Sequence, residues 1–388
     1  MSLDPPEGDR GSMFFRISAK IELPQVLSAP ISVEKSVLEI PWIIMPNIFQ
    51  TEEWARFKVE TGYQKYHDVD GIFVLQKLLP LGRTMLYSPM IDVSQQPAVG
   101  SQQFLEKIGQ IAKENKTIFY RLEIGCESAN TANCQPPAAN FIKSFEEMQP
   151  EHTLILNITK SDADILAQMK PKGRYNIKVA EKHGVSVKKT RDITNFYNLY
   201  EQTAKRQRIT YRSREYFQKL LDNLEPKGYC ELFTAVTTLN DNAELTQKND
   251  RHCEESATRQ SDSDRLPHPN GLATADKGGE IVLAAAIVSF YKNRATYLFG
   301  ASNDEMRNVM APYGLHWQII AEAKRRGCTE YDFFGIAPDD NPKHPWAGVT
   351  SFKKKFGGEE VHLTGSWDLI FRPAEYQVFK VLEKIRRR

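Results

Sequence analysis

The chain has 388 residues, 41% hydrophobic and 26% charged, so its length allows two to three domains with real apolar cores. That excludes a disordered chain, a collagen-like repeat and a miniature disulfide scaffold, and no apolar run approaches the ~18 residues of a membrane span. The 51 Lys and Arg nearly balance the 49 Asp and Glu, yet residues 170–214 hold thirteen basic residues against Glu181, Asp192 and Glu201, which makes that segment +10 and the remainder −8.

The opening stretch MSLDPPEGDRGSMFF is polar and acidic, so it does not read as a signal peptide, and Met13 offers an alternative start. Residues 51–60, TEEWARFKVE, read as a helix with acids in its first turn. Residues 70–79 and 83–87 read as a strand pair turning at Pro80–Gly82. A helix over 101–114 gathers Phe104, Ile108, Ile111 and Ala112 on one face, and TIFYRLEI at 117–124 alternates as a strand. A loop rich in Asn and Pro runs to about residue 150. The pattern then recurs: a strand at 153–158, helices within 162–182, a strand at 185–190, and helices at 192–208 and 213–224. Strands at 229–238, 281–290 and 294–299 precede a helix at 313–326, a strand at 330–334, a short helix at 346–356 and a strand at 359–364. The last helix, 373–388, ends in basic residues that suit its negative dipole end. Two successive runs of alternating strands and helices predict two α/β units.

Residues 239–279 break this pattern, being poor in large apolar residues and rich in Asp, Ser, Asn and Gly, and are expected to be a disordered insertion in a hairpin loop. Loop-closure entropy grows slowly enough with length for the fold to tolerate it. Cys126, Cys134, Cys230, Cys253 and Cys328 include no C-x-x-C pair, which predicts reduced thiols in a cytoplasm and no structural zinc. The adjacent His252 and Cys253 lack the rigid frame a metal needs. The basic segment, joined by Lys353, Lys354, Lys355 and Arg386, Arg387, Arg388, points to a polyanionic partner or is a solvated helical face.

Five stretches carry more specific information: W-A-R-F-K at 54–58, Y-S-P-M-I-D at 87–92, G-R-Y-N-I-K-V-A at 173–180, A-P-Y-G-L-H-W at 311–317, and Y-D-F-F-G-I at 331–336 followed by G-V-T-S-F-K-K-K-F-G-G at 348–358. In order and content they resemble the FemX/FemAB aminoacyltransferases, from about residue 41 to the end apart from the insertion. The resemblance implies an α/β (α+β) fold of two GNAT-like acyltransferase domains in tandem, each a mixed sheet flanked by helices. The boundaries it implies are an N-terminal extension over 1–40, a first domain over 41–150 completed by the C-terminal helix 366–388, and a second over 151–365. No heptad run is present, so the chain is similar to the armless FemX type. The implied reaction moves an amino acid from aminoacyl-tRNA onto the stem-peptide amine of a peptidoglycan precursor, either UDP-MurNAc-pentapeptide or lipid II. The implied enzyme is a cytoplasmic monomer that needs no metal or organic cofactor and meets the membrane surface when its acceptor is lipid II.

The same resemblance nominates site residues. Lys353 matches the lysine where the tRNA acceptor end enters, with Phe352 beside it as a platform for a base; the alternative is a solvated lysine next to a core ring. Tyr87 and Asp92 match a tyrosine-plus-aspartate arrangement around the stem peptide, Asp92 orienting or deprotonating the amine, unless it is a turn or cap aspartate. Lys58 and Arg206, or its neighbour Arg208, match cations that grip precursor phosphates, against a reading as helix-surface charge. Tyr211 and Tyr297 are candidates for substrate hydroxyl contacts or ordinary packing. Asp332, an acid in an apolar strand, needs a partner and is expected to find it on the helix where Arg174 and Lys178 share a face.

Two rivals remain at this level. A CoA-dependent GNAT acyltransferase needs backbone amides at a helix start, but R-N-V-M-A-P-Y-G at 307–314 has one glycine and Pro312 has no N–H. A non-catalytic RNA-binding protein of the same fold accounts for the +10 segment equally well. No Walker A, H-E-x-x-H, G-x-S-x-G or Rossmann motif supports another class.

Overall fold

A computed structural model describes residues 47–93, 99–127, 134, 140–207, 212–238, 280–304 and 306–386. The N-terminal extension, the 239–279 insertion and Tyr211 lie outside the described residues. The first elements are α1 (Glu52–Glu60), β1 (Lys65–Val69), β2 (Ile72–Leu79), β3 (Arg83–Ile91), α2 (Gln102–Glu114), β4 (Thr117–Glu127) and β5 (Phe141–Lys143). Next come β6 (His152–Asn157), α3 (Asp162–Gln168), α4 (Pro171–Lys182), β7 (Ser186–Thr190), α5 (Thr194–Gln207), α6 (Arg214–Leu224), β8 (Cys230–Thr238) and β9 (Glu280–Tyr291). The chain continues through β10 (Arg294–Ser302), α7 (Ala311–Arg325), β11 (Glu330–Gly335), α8 (Ala347–Lys353), β12 (Glu359–Ile370) and α9 (Pro373–Arg386). Local chemistry sets many starts: the hydroxyls of Thr51, Ser101, Ser161 and Ser213 each accept the backbone N–H three residues on, and Pro171 opens α4.

The strands form one mixed sheet ordered β1-β2-β3-β4-β12-β6-β11-β10-β9-β8-β7, with β5 added on β12. Parallel pairs occur at β3–β4, crossed over by α2, and at β10–β11, crossed over by α7. The other pairings are antiparallel, so each half repeats one β-α-β unit within a mixed sheet, as the tandem fold requires. In the second half, α3, α4 and α7 cover one face through Ile165, Ile177 and Ile319. The other face takes α5 and α6 through Phe196 and Phe217, and α1 joins that cluster through Trp54 and Phe57. In the first half α2 packs Phe104 and Ile108 on one face, and Tyr376 of α9 packs with Ala55 of α1 on the other.

Three strands depart from the sequence reading. β1 is an edge strand, K-Y-H-D-V, whose exposure follows no apolar alternation and therefore leaves no period to detect. β5 is three residues long inside the expected loop. β12 runs on to Ile370 instead of stopping near 364. A fourth difference concerns thiols: Cys126 and Cys134 form a disulfide with their Cα atoms 6.0 Å apart, where reduced cysteines were expected. The Cys134 carbonyl accepts from Thr364 Oγ1 of β12 at 2.9 Å. Cys230 and Cys328 are free and buried.

Arg121 of β4 is fully buried and is the hub of a polar network. Its Nε and Nη2 donate to the two oxygens of Asp368 on β12 at 2.7 and 2.9 Å, and its Nη1 donates to Glu146 at 2.6 Å. Tyr376 of α9 donates to Asp368 at 2.7 Å, so the ion pair ties β4, β12 and the last helix together. A bidentate pair reinforced by further hydrogen bonds is the geometry that lets a buried charge survive. Arg121→Met should strand two buried carboxylates and cost about 3–5 kcal/mol of unfolding free energy. The midpoint of urea unfolding measures this, and an unchanged midpoint would show that the network contributes no stability.

Candidate active site

Lys353 is the last residue of α8 and is only 6% exposed. Its Nζ donates to Gly335 O at 2.6 Å and lies 3.4 Å from Phe334 O, with the Tyr297 ring 5.6 Å away. Burial pulls its pKa down to about 8, against the pull of Asp332 in the other direction. The carbonyls that receive it are aimed by an irregularity in β11: its register with β6 shifts between Asp332 and Gly335, and Phe334 takes a φ of 59°. Such a backbone is costly for a non-glycine residue and needs support. Asp332 supplies it, accepting the Phe334 N–H at 2.7 Å and the Thr153 hydroxyl. Its other oxygen lies 3.9 Å from Arg294 on β10. Arg294, and not the α4 helix, is therefore the basic partner of Asp332; Arg174 is instead turned onto the C-terminal carbonyls of α3.

The strands help to open this place. β10 and β11 pair only from Arg294–Thr296 to Glu330–Asp332, after which β10 continues with β9 and β11 with β6. Tyr297 and Gly335 stand just past that parting. Phe352 packs against Tyr313 (4.9 Å) and against His316 and Phe356 (5.5 Å each), so it is part of an aromatic cluster at the edge of the core. His316 is paired with the Tyr331 hydroxyl at 2.8 Å and is held neutral at pH 7, since burial and then Lys353 push its pKa down to about 3.

A second buried group centres on Glu123. Glu123 of β4 is 1% exposed. One oxygen accepts from Gln149 N at 2.7 Å and Ser366 Oγ at 3.1 Å, and the other accepts the Tyr87 hydroxyl of β3. Burial lifts its pKa to about 7, opposed by Tyr87, Gln149, Ser366 and Arg121. Gln149 leads into Pro150, which packs on Gly335: a Cβ there would meet Pro150 Cγ at 2.6 Å, so only glycine permits the approach. A cleft of about 570 Å³, lined by residues 143–151 and Trp346, lies along this contact. Glu123 and Lys353 are thus linked through Gln149, Pro150 and Gly335.

The third group gathers where α1 packs on α6, a contact closed by Lys219 and Asn223 donating to Glu60. Lys58 Nζ sits 5.2 Å from the Tyr63 ring, 5.7 Å from Phe57 and 5.8 Å from Tyr216. Arg212 lies 5.1 Å from the same Tyr216 ring. Burial, Arg212 and Lys77 bring the Lys58 pKa down to about 8. No carboxylate among the described residues pairs with Lys58, and an amine beside two other cations is a site that wants an anion. Tyr63 connects this group to the previous one, its ring 6.5 Å from that of Tyr87.

The structure thus brings Lys58, Tyr87, Tyr297 and Lys353 into one run of contacts. Asp92 is buried just past β3, next to Met90, whose φ is 51° and whose carbonyl accepts from Asn47 at 2.6 Å. Arg206 does not join Lys58 in the described contacts; it pairs with Asp304. The arginine beside Lys58 is Arg212, with Tyr216 four residues on, and the sequence reading missed both. Arg212 lies just ahead of α6, before its cap Ser213, where no helical period could single it out. Glu123 was missed as well, although R-L-E inside an otherwise apolar strand puts Arg121 and Glu123 on one face and signals buried charge.

Comparison with known proteins agrees with this architecture. The sequence profile of the FemAB family matches residues 138–256 and 231–384. The lipid II:glycine glycyltransferase of Staphylococcus saprophyticus is 24% identical over 393 positions, covering 86% of this chain and 90% of that protein. The lipid II:glycine glycyltransferase of Staphylococcus aureus strain COL is 24% identical over 391 positions with the same coverage of 86% and 90%. Among solved structures, the crystal structure of FemX superposes with a TM-score of 0.69 at 21% identity, covering 86% of this chain and 94% of that one, which shows the shared fold. With the family profile matching well over half of the chain, the chain belongs to the FemAB family.

Proposed function

We propose that this protein moves an amino acid from aminoacyl-tRNA onto the side-chain amine of a peptidoglycan stem peptide, building a cell-wall cross-bridge. The observation that carries the reading is the unbroken series Lys58, Tyr63, Tyr87, Glu123, Gln149, Pro150, Gly335, Lys353, with a cation cluster at one end and a buried lysine at the other. Relatives named lipid II:glycine glycyltransferases support lipid II as acceptor and glycine as donor. Lys58 and Arg212 hold the precursor's phosphates, Tyr63 and Tyr87 line the path of the stem peptide, and Lys353 meets the acceptor end of the tRNA. The lipid-linked acceptor places the reaction at the inner face of the membrane.

The chemistry asks little beyond this. The neutral amine attacks the ester carbonyl, a C–N bond forms, the C–O bond to the tRNA ribose breaks, and the amine proton ends on the ribose hydroxyl. The ester is already activated, so positioning and charge stabilisation suffice and no resident cofactor is called for. Lys353, a cation at neutral pH, stabilises the oxyanion or a terminal phosphate. Asp92 orients the amine. Glu123 holds the Tyr87 hydroxyl in place.

Glycyl-tRNA and lipid II incubated with the protein should yield glycine on the stem peptide, and RNase should abolish it; absence of transfer to lipid II and to the soluble precursor alike would overturn the reading. Lys353→Met should lower turnover by about a hundredfold or more at unchanged melting temperature, and near-normal turnover would remove Lys353 from the site. The Lys58 pKa near 8 gives binding a pH dependence. Below that pH the amine is protonated with or without the anion, so affinity is flat. Above it, binding must take up a proton, and the precursor's Kd should rise by up to about tenfold per pH unit. Lys58→Arg should flatten the curve; an identical slope would exclude Lys58 as its source.

Glu123 supplies a stability test. Its folded pKa of about 7 lies above the ordinary 4.5, so the fold favours the protonated form. That advantage is complete below pH 4.5 and is lost as pH rises through 7. Relative to Glu123→Gln, the wild type should lose on the order of 3 kcal/mol at most between pH 4.5 and 8, read by parallel melts. Curves that stay parallel would show that Glu123 is ionised throughout.

A further inference from the structure

The last helix is apolar on both sides. Tyr376 and Phe379 of α9 face inward onto Phe119 and Phe145, and the Glu383 side chain is tucked against the body. At 3.6 residues per turn the opposite side carries Val378, Val381, Leu382 and Ile385. These are 59%, 56%, 52% and 65% exposed. An outward helix face is ordinarily polar, and single exposed apolar residues need no explanation, but a stripe at i, i+3, i+4 and i+7 does. At the N-terminal end of α9 stands the tip of the β2–β3 turn, held there by the ion pair of Arg83 with Glu375 at 2.6 Å. That tip offers Leu81, which is 97% exposed.

Cations outnumber acids around the stripe. Lys384 flanks one side and Arg386 the other, with Lys77 close enough to sense Arg386 and Glu383, while Lys380 lies over the inward rings of Phe145 and Tyr376. The acids of the helix are engaged: Glu375 with Arg83 and Arg372, and Glu383 with Arg386. Apolar side chains between basic flanks are the composition of a helix that lies in the headgroup region of an anionic bilayer. No helix of the described residues is long and apolar enough to cross a membrane.

We propose that the outer face of α9, with Leu81, docks the protein onto an anionic phospholipid surface. The surface rests on the proposed function only for its purpose, which is to bring the site to a lipid-linked acceptor. The occupant is argued from charge complementarity: a second copy of this face would oppose Lys384 and Arg386 to themselves.

The test uses the full chain and vesicles without lipid II or tRNA. The wild type should co-sediment with phosphatidylglycerol-containing vesicles at least tenfold better than with pure phosphatidylcholine vesicles. Val381→Glu combined with Leu382→Glu should remove at least nine-tenths of that binding, and Lys384→Glu should weaken it severalfold and reduce its salt dependence. All three positions are exposed, so melting temperatures should stay at the wild-type value. Equal partition of wild type and variants would overturn the proposal. So would a fall in sedimentation coefficient in the glutamate variant, which would assign the stripe to a second copy, or a fall in melting temperature, which would assign it to a segment of the same chain. Vesicle binding without transferase activity would uphold the docking surface and count only against the proposed reaction.

Discussion

Strand β12 is shared by two half-sheets, and the placement of the site depends on that sharing. From Glu359 to His362 it pairs with β6, and from Leu363 to Ile370 it pairs with β4. The change of partner passes through Gly365, whose φ of 76° and missing side chain let the Glu151 carboxylate lie against the backbone. Glu151 accepts the N–H of Ser366 at 3.1 Å while paired with Lys143 at 2.7 Å, so the donor exposed by the change is not left unmade. One strand thereby sets the first β-α-β unit against the second, and with it Glu123 against Lys353.

Buried charge holds the geometry around that strand. Arg121 locks β4 to β12 through a bidentate pair, and Tyr376 extends the lock to the last helix. Asp332 holds the left-handed Phe334 so that two carbonyls face Lys353. Buried ionic groups of this kind add little net stability, yet removing one partner is expensive, so they specify a single arrangement. Lys58 and Lys353 differ from these because, among the described residues, neither is offered a carboxylate within hydrogen-bonding distance. Both have their pKa values depressed toward 8 by burial, a state in which an arriving anion is strongly favoured.

The two lysines sit on separate helices, Lys58 in α1 and Lys353 at the end of α8. Irregular backbone marks both halves of the sheet: Met90 near the end of β3 and Phe334 in β11 are both left-handed non-glycine residues. A protein–lipid surface on α9 would add a third element to the same first half, since α9 packs directly on β4.

The order of helices and strands was legible in the sequence because apolar period and cap residues are local. α2, with Phe104, Ile108 and Ala112 on one face and Ser101 as cap, is realised nearly to the residue. Motif content was legible for the same reason, and it identified the family. What failed was either too short or too polar to have a period, as with β5 and the edge strand β1, or was broken by a glycine whose purpose is tertiary, as with Gly365 in β12. The pairing of charges was not legible. Asp332 meets Arg294 across neighbouring strands, and Arg212 rather than Arg206 reaches Lys58, because α1 packs on α6. Periodicity states which face of an element is turned inward. It does not state which inward faces meet, since that is settled by the packing of whole elements, and the convergence of Lys58, Glu123 and Lys353 belongs to the tertiary structure alone.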